Sequence, residues 1–314
     1  MKIIDHSVIS ELNIRPSTCV EWIRESFLAK KEAQLPPKTS LHPQGDDFFN
    51  TMPCILPSYH RYGCKIVSRI RGAEPSLNSM LILSNSTTGE VLALMDADWI
   101  TAMRTGAVVA LAEHLFRPFG EIEYGFLGLG NAARASLLCL LDCEPNRTFR
   151  VKLLRYKDQA EKFIQRFSDH MNVTFSIVDS PEDLIASSNV VISCVTSKDG
   201  LFCSNDNLFQ QGALVIPVHT RGFQNCDLFF DKVYGDDTGH ICEFKYFDKF
   251  QHYAEISDVL RNLSPGRESG EERILSYNIG LGLHDLVFAS KIYPLVEDSC
   301  PDISMKKPQS KFWI

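Results

Sequence analysis

The chain reads as an α/β protein, with a doubly wound parallel sheet following an antiparallel α+β portion. A glycine loop, Gly128-Leu129-Gly130-Asn131-Ala132-Ala133, sits between an apolar strand pattern ending at Leu127 and a helical pattern running to about Leu141. Strand and helix patterns then alternate as far as Val218. Short apolar runs such as Val190-Val191-Ile192 suit parallel strands covered on both faces.

The N-terminal portion has a different grammar. Val8 to Lys31 is mostly helical in pattern, and Pro36-Pro37 stops it. A loop rich in Pro, Gly and Asp follows from Lys38 to Asn50. Met52 to Leu56, Cys64 to Ile70 and Leu77 to Ser84 have strand character, and Thr87 to Glu90 reads as a hairpin turn into Val91 to Met95. Asp98 or Thr101 is a candidate cap for a long helix through Phe116, ended by Pro118-Phe119-Gly120.

After that break the expected strands are Glu121 to Leu127, Arg150 to Arg155, Thr174 to Val178, Val190 to Val195 and Ala213 to Val218. Asp158 to His170 and Pro181 to Ser187 supply helices between them. Beyond Asp236-Asp237 periodicity fades; Ser264 to Gly270 reads as a surface loop, and Gly282 to Lys291 as a helix leading to a tail that returns to the first portion. Lys306-Lys307-Pro308 reads as a solvated terminus.

Composition excludes several classes. The 314 residues are 44% hydrophobic, enough for full cores and against disorder. A formal charge of -7 argues against a nucleic-acid partner, because phosphate backbones attract basic surfaces. The apolar runs are too short for a membrane span, and the start is too polar for a signal peptide. Ten scattered cysteines, without metal-ligand spacing, read as reduced thiols of a cytoplasmic protein with no metal site.

The glycine loop carries the functional signal. Its first Gly permits a tight turn, its second lets backbone amides approach a pyrophosphate, and Ala133 allows close helix packing. Gly128, Gly130, Asn131 and Ala132 are therefore candidate cofactor-binding residues, aided by the helix dipole. The second strand ends Leu153-Leu154-Arg155-Tyr156-Lys157, with no acid to select a free ribose 2′-hydroxyl. Arg155 can grip a 2′-phosphate, so NADP(H) is expected over NAD(H).

From Asp98 to Ala107 the chain resembles the ornithine cyclodeaminase and mu-crystallin family, which carries an Arg-Thr-x-Ala helix shortly before a Gly-x-Gly-x-Gln-Ala loop. The resemblance extends to Met52-Pro53, Lys65, Asn189 to Thr196 and Gly280 to Asp285, covering nearly the whole chain. It implies a Rossmann-type domain, residues 119–284, inserted into an α+β substrate and dimerisation domain, residues 1–118 completed by 285–314. It implies hydride transfer at the α-carbon of an amino acid or its imine. Arg104 would bind the substrate carboxylate near the cofactor phosphates, with Thr105 on a phosphate, and Lys65 would hold the carboxylate or relay a proton. Lys38 and Met52 complete the implied substrate set. Thr196 and Val218 would border the nicotinamide, and Asn278 would reach its carboxamide.

Departures from the pattern bear on the reaction. Cyclodeaminases place an acid before Met-Pro, where this chain has Asn50, and an aspartate after the fifth strand, where it reads Val218-His219-Thr220-Arg221-Gly222. Their loop arginine is Lys38 here. The expectation is an NADP(H)-dependent imine reductase or amino-acid dehydrogenase acting on an amino or imino acid. The alternatives are ornithine cyclodeamination and an NADPH-dependent ligand-binding protein with little turnover. His219 is a candidate proton donor. Alternating apolar positions from Met52 to Met95, with too few helices to cover both faces, point to a homodimer.

Overall fold

The structure is a computed structural model that describes residues 1–196, 199–218, 222–306, 308 and 310–311. His219, Thr220, Arg221 and Lys307, which figure in the sequence reading, lie outside the described residues.

Two sheets organise the chain. The first has six strands in the order β1-β6-β5-β4-β3-β2: β1 Lys2–Ile4, β2 Thr39–Leu41, β3 Phe48–Leu56, β4 Arg61–Arg69, β5 Leu77–Asn85 and β6 Val91–Asp96. It is antiparallel except where β1 joins β6 in parallel. The sequence reading missed β1 and β2, since three residues are too few to display a period.

Period-two alternation gives this sheet two faces. Met52, Cys54 and Leu56 of β3, Lys65 and Val67 of β4, and Leu81 and Leu83 of β5 are buried on one face. The other face leaves Phe49, Ile66, Met80 and Ile82 exposed. Against the buried face lies the C-terminal helix α9, Gly282–Val296, whose contacts run to β3, β4 and β5. The chain end follows it back, with Lys2 Nζ 2.9 Å from Asp302 Oδ2.

The N-terminal helical pattern resolves into α1, His6–Glu11, and α2, Pro16–Ala29, with Pro16 starting the second at its first position. Helix α3, Asp98–Phe116, links the two sheets. It is buried nearly all round because α4, Asn131–Cys143, packs on one side and α2 and α9 on others. Gly106 permits that approach: a Cβ there would lie 2.3 Å from the backbone carbon of Ala135. Neither Asp98 nor Thr101 caps α3, whose N-cap is Ala97 without a side-chain bond.

The second sheet has eight parallel strands in the order β13-β12-β14-β11-β10-β7-β8-β9. They are β7 Glu123–Leu127, β8 Phe149–Leu154, β9 Val173–Val178, β10 Val190–Ser193, β11 Leu214–Pro217, β12 Lys232–Gly235, β13 Tyr253–Glu255 and β14 Ile274–Tyr277. Helices α5, Gln159–Arg166, and α6, Pro181–Ala186, connect strands where expected, though α5 is shorter than its pattern. This is the doubly wound, Rossmann-type sheet set beside an α+β unit. Strands β12, β13 and β14 correct the five-strand expectation; they are three or four residues long and, in β12 and β14, wholly buried, so no alternation marks them.

The Ser264–Gly270 stretch is not a free surface loop. Tyr234 donates its hydroxyl to Pro265 O at 2.6 Å, Lys232 Nζ lies 2.6 Å from Glu268, and Arg267 Nη2 bonds Gly212 O at 2.9 Å.

Candidate functional site

Strand order reverses at β7, which lies between β8 and β10, so a crevice opens at the carboxyl ends of β7 and β10. Gly128 turns the chain there with φ +78°, and its Cβ would fall 2.7 Å from the backbone of Cys194 and Val195. Only glycine fits this position. Gly130 is the N-cap of α4, and a Cβ on it would meet nothing within 4 Å. The following amides, at Asn131 and Ala132, belong to a first turn with no side-chain cap. Open space beside uncapped amides at a helix N-terminus fits a pyrophosphate.

Arg155 follows β8 and is half exposed. Its Nε lies 2.7 Å from Asp179 Oδ1 and its Nη1 2.8 Å from Glu161 Oε1. A 2′-phosphate would share the guanidinium with both acids. Thr196 is exposed just beyond β10, and Val218 is buried just beyond β11. Asn278, directly after β14, is 4% exposed, yet neither atom of its amide has a partner. Its backbone N–H bonds Pro217 O at 3.2 Å, which ties it to the end of β11. A buried amide with both atoms unpaired suits a ligand that offers a donor and an acceptor.

The cationic residues gather against the turn that follows Asn278. The Arg104 guanidinium packs on Gly280, and its Nε lies 3.2 Å from Asp285 Oδ1 without an aligned hydrogen bond. Lys65 points inward from β4 beside its register partner Met52, and its Nζ lies 2.8 Å from the same Asp285 oxygen. It also donates to Thr101 Oγ1 at 3.2 Å. Burial and the Arg104 charge pull the Lys65 ammonium down to about 8, against the opposing pull of Asp285. Lys38 reaches Ile279 O at 3.4 Å, and burial and Arg104 lower its pKa while Asp236 opposes them. Thr105 spends its one hydroxyl proton on Thr101 O at 2.6 Å, so a phosphate contact requires that hydroxyl to turn.

Lys38, Met52, Lys65 and Arg104 thus come together at the 278–285 stretch, close to the carboxyl ends of β11 and β14. Arg155 lies apart, at the end of β8. This arrangement can hold an anionic group between cations while excluding water.

Two carboxylates in the site escaped the sequence reading. Asp285 Oδ1 faces both Lys65 and Arg104, and its Oδ2 is buried without a partner. Its sequence signals are an acid in the first turn of α9 and its place at the end of the Gly280 to Asp285 resemblance, neither of which marks it as facing Lys65. Asp236, at the end of β12, accepts the Gly280 N–H at 2.7 Å, leaving Oδ1 buried and unpaired. Burial raises its pKa, opposed by Gly280 N–H, His240, Lys30 and Lys38. Nearby, His240 Nδ1 lies 2.7 Å from Asp237 Oδ2 and its Nε2 accepts the Lys38 N–H at 3.3 Å, so the Lys38 loop is docked on α7, Thr238–Ile241.

A cavity of about 370 Å³, lined in part by Arg24, Glu113, His114 and Cys143, lies at the opposite end of α4 from the glycine loop. Among the described residues no group of three or more His, Cys, Asp or Glu could hold a metal. No described helix is long and apolar enough to cross a membrane.

The chain is 24% identical over 273 residues to the nodulation efficiency protein NfeD of Rhizobium meliloti, covering 83% of this chain and 84% of that one. It is 25% identical over 294 residues to alanine dehydrogenase of Archaeoglobus fulgidus, covering 86% and 88%. Among solved structures it is similar to Thermococcus litoralis Delta(1)-pyrroline-2-carboxylate reductase in complex with NADH and L-proline, with a TM-score of 0.85, 21% identity and coverage of 96% and 100%. Residues 2–299 match the model of the ornithine cyclodeaminase/mu-crystallin family, and the chain belongs to that family.

Proposed function

We propose that this protein is an oxidoreductase of carbon–nitrogen bonds that uses a nicotinamide dinucleotide, NADP(H) in preference to NAD(H), at the α-carbon of an amino acid or its imine. The observation that carries the reading is the convergence of Lys38 and Arg104 on Ile279 and Gly280, and of Lys65 and Arg104 on Asp285, beside the crevice of the parallel sheet. Relatives named for alanine dehydrogenation and pyrroline-2-carboxylate reduction support it.

In this reading the amides from Gly128 to Ala132 hold the pyrophosphate, with Arg104 and Thr105 near it. Thr196 and Val218 border the nicotinamide, and Asn278 pairs with its carboxamide. The bound cofactor supplies or accepts the hydride. Arg104 and Lys38 hold the substrate carboxylate, Met52 walls the pocket, and Lys65 serves the proton balance at nitrogen. The NADP(H) preference rests on Arg155, since the similar solved structures named with a cofactor carry NAD or NADH. The same reading divides the chain into residues 119–284 for the cofactor and 1–118 with 285–314 for substrate and dimer contacts, and places a homodimer in the cytoplasm.

Ornithine cyclodeamination is the second reading, and Asp236 favours it. That carboxylate supplies, from the end of β12, an acid that Asn50 and the segment after β11 lack. Incubation with NADPH and a cyclic or linear α-imino acid separates the two. Oxidation of NADPH, without ammonia from ornithine, is expected; stoichiometric proline and ammonia from ornithine with catalytic cofactor overturns the reductase assignment. Arg104→Ala should cost about 2 to 4 kcal/mol in kcat/KM, the loss of a charged contact to the substrate.

A further inference from the structure

Asp285 joins two cations that arrive from different parts of the chain. Lys65 comes from β4 and Arg104 from α3, and a single oxygen, Asp285 Oδ1, lies 2.8 Å from Lys65 Nζ and 3.2 Å from Arg104 Nε. All three groups are buried: Lys65 and Asp285 have no exposed surface, and Arg104 is 9% exposed. The second oxygen, Oδ2, is buried without a partner.

A carboxylate that served the fold alone would spend both oxygens in so closed a place. Asp285 spends one, on the two cations that face the substrate. Two cations around one anion leave a buried positive charge, which an α-carboxylate entering the pocket can cancel.

We propose that Asp285 is a positioning residue for the reaction, its Oδ1 being the common anchor that fixes Lys65 Nζ relative to the Arg104 guanidinium. This rests on the reading given under Proposed function. In an α-amino or α-imino acid the carboxylate and the nitrogen sit on one carbon, so the group that holds the first and the group that serves the second must keep one separation. Thr101 Oγ1 also accepts from Lys65 Nζ, at 3.2 Å, but it does not hold the guanidinium. The nearest approach of Arg104 to Asp285 is through Nε, which suits a guanidinium that offers its Nη1 and Nη2 pair to a carboxylate.

Asp285 also governs the charge on Lys65. Arg104 of α3 and Lys38 of the segment before β2 face the ammonium and, with burial, lower its pKa; Asp285 of α9 opposes them, and the balance falls at about 8. In imine reduction Lys65 gives its proton to the nitrogen as the α-carbon receives hydride from the cofactor, and it takes another from water. The rate therefore falls as pH rises through the Lys65 value. Without the Asp285 charge that fall begins at lower pH.

Two substitutions in the full chain separate charge from anchoring. Asp285→Asn keeps an oxygen in place and loses the charge, so in imine reduction the alkaline fall of kcat/KM should move down by about one pH unit or more. The titration midpoint of Lys65, followed by NMR of protein carrying 13C-labelled lysine and assigned with Lys65→Met, should drop by about as much and needs no turnover. Asp285→Ala removes the oxygen, and it is made in the Lys65→Met background so that no buried lysine loses its partner. Binding of a cyclic α-imino acid, titrated with NADP+ present, should be about tenfold weaker there than in Lys65→Met alone. Charge alone predicts the reverse, because a negative neighbour of Arg104 has gone. Native circular dichroism and an NADPH affinity within about twofold check each fold, and if Asp285→Asn does not fold, the binding comparison decides. An unmoved Lys65 midpoint, or binding as tight as in Lys65→Met, overturns the proposal. If the unmodified protein turns over no imine or amine, the functional reading fails, and the Lys65 midpoint still decides whether Asp285 governs that lysine.

Discussion

The guanidinium of Arg104 fills the space above the α-carbon of Gly280, where a Cβ would lie 2.4 Å from Nη1 and 3.0 Å from Nη2. Gly280 also has φ +88°, which disfavours any side chain. Gly280→Ala should therefore displace Arg104 as well as strain the turn. A loss of about 1 to 3 kcal/mol in urea unfolding is expected, with a fall of about tenfold or more in kcat/KM. Wild-type activity in this variant would show that the position of Arg104 is not critical.

Lys65 gives a pH signature. Its folded pKa of about 8 lies below the ordinary 10.5, so between these values the unfolded chain holds the proton more tightly. The sign follows: the penalty for burying the ammonium is full below the folded value and is relieved as pH rises towards the unfolded one. Compared with Lys65→Met, the unmodified protein should gain about 1 to 3 kcal/mol in urea unfolding between about pH 7.5 and about pH 10. The difference between the two proteins cancels the titration of cysteines and tyrosines elsewhere. A flat difference across that window would mean that Lys65 is not depressed.

Cofactor choice should hinge on Arg155 and its two acids. Binding titrations are expected to favour NADPH over NADH by about tenfold, with Arg155→Ala removing most of the preference. Asp179→Asn, which frees the guanidinium from one of its carboxylates, should enlarge it. Equal affinities in the unmodified protein would remove the NADP(H) assignment.

The exposed sheet face should be a dimer contact. Ile66 and Met80 are register partners, 45% and 44% exposed, and Ile82 on the same face is 36% exposed. Light scattering should give twice the 35.5 kDa of one chain. Replacing Met80 with Asp, which puts a charge at the centre of that face, should shift the mass to that of a monomer. A monomer in the unmodified protein would rule out the pairing.

Features set by neighbouring residues were legible in the sequence. Gly128, Gly130 and the flanking patterns announce a strand, a tight turn and a helix, because turn geometry and periodicity act over a few residues. The Arg104-Thr105 helix and Lys65 were legible through the family resemblance, as was Asn278. Tertiary structure alone decided what these groups face. Lys65 and Asp285 are 220 positions apart, and no local pattern records that one carboxylate oxygen stands before both Lys65 and Arg104. Asp236 and the strand before it stayed hidden for a related reason: a four-residue strand buried on both faces shows no alternation, and the residue that follows a parallel strand acquires its role only when distant segments bring Gly280 and Lys38 to it. Periodicity and turn chemistry are short-range, whereas desolvation and ion pairing depend on which distant segments close around a group.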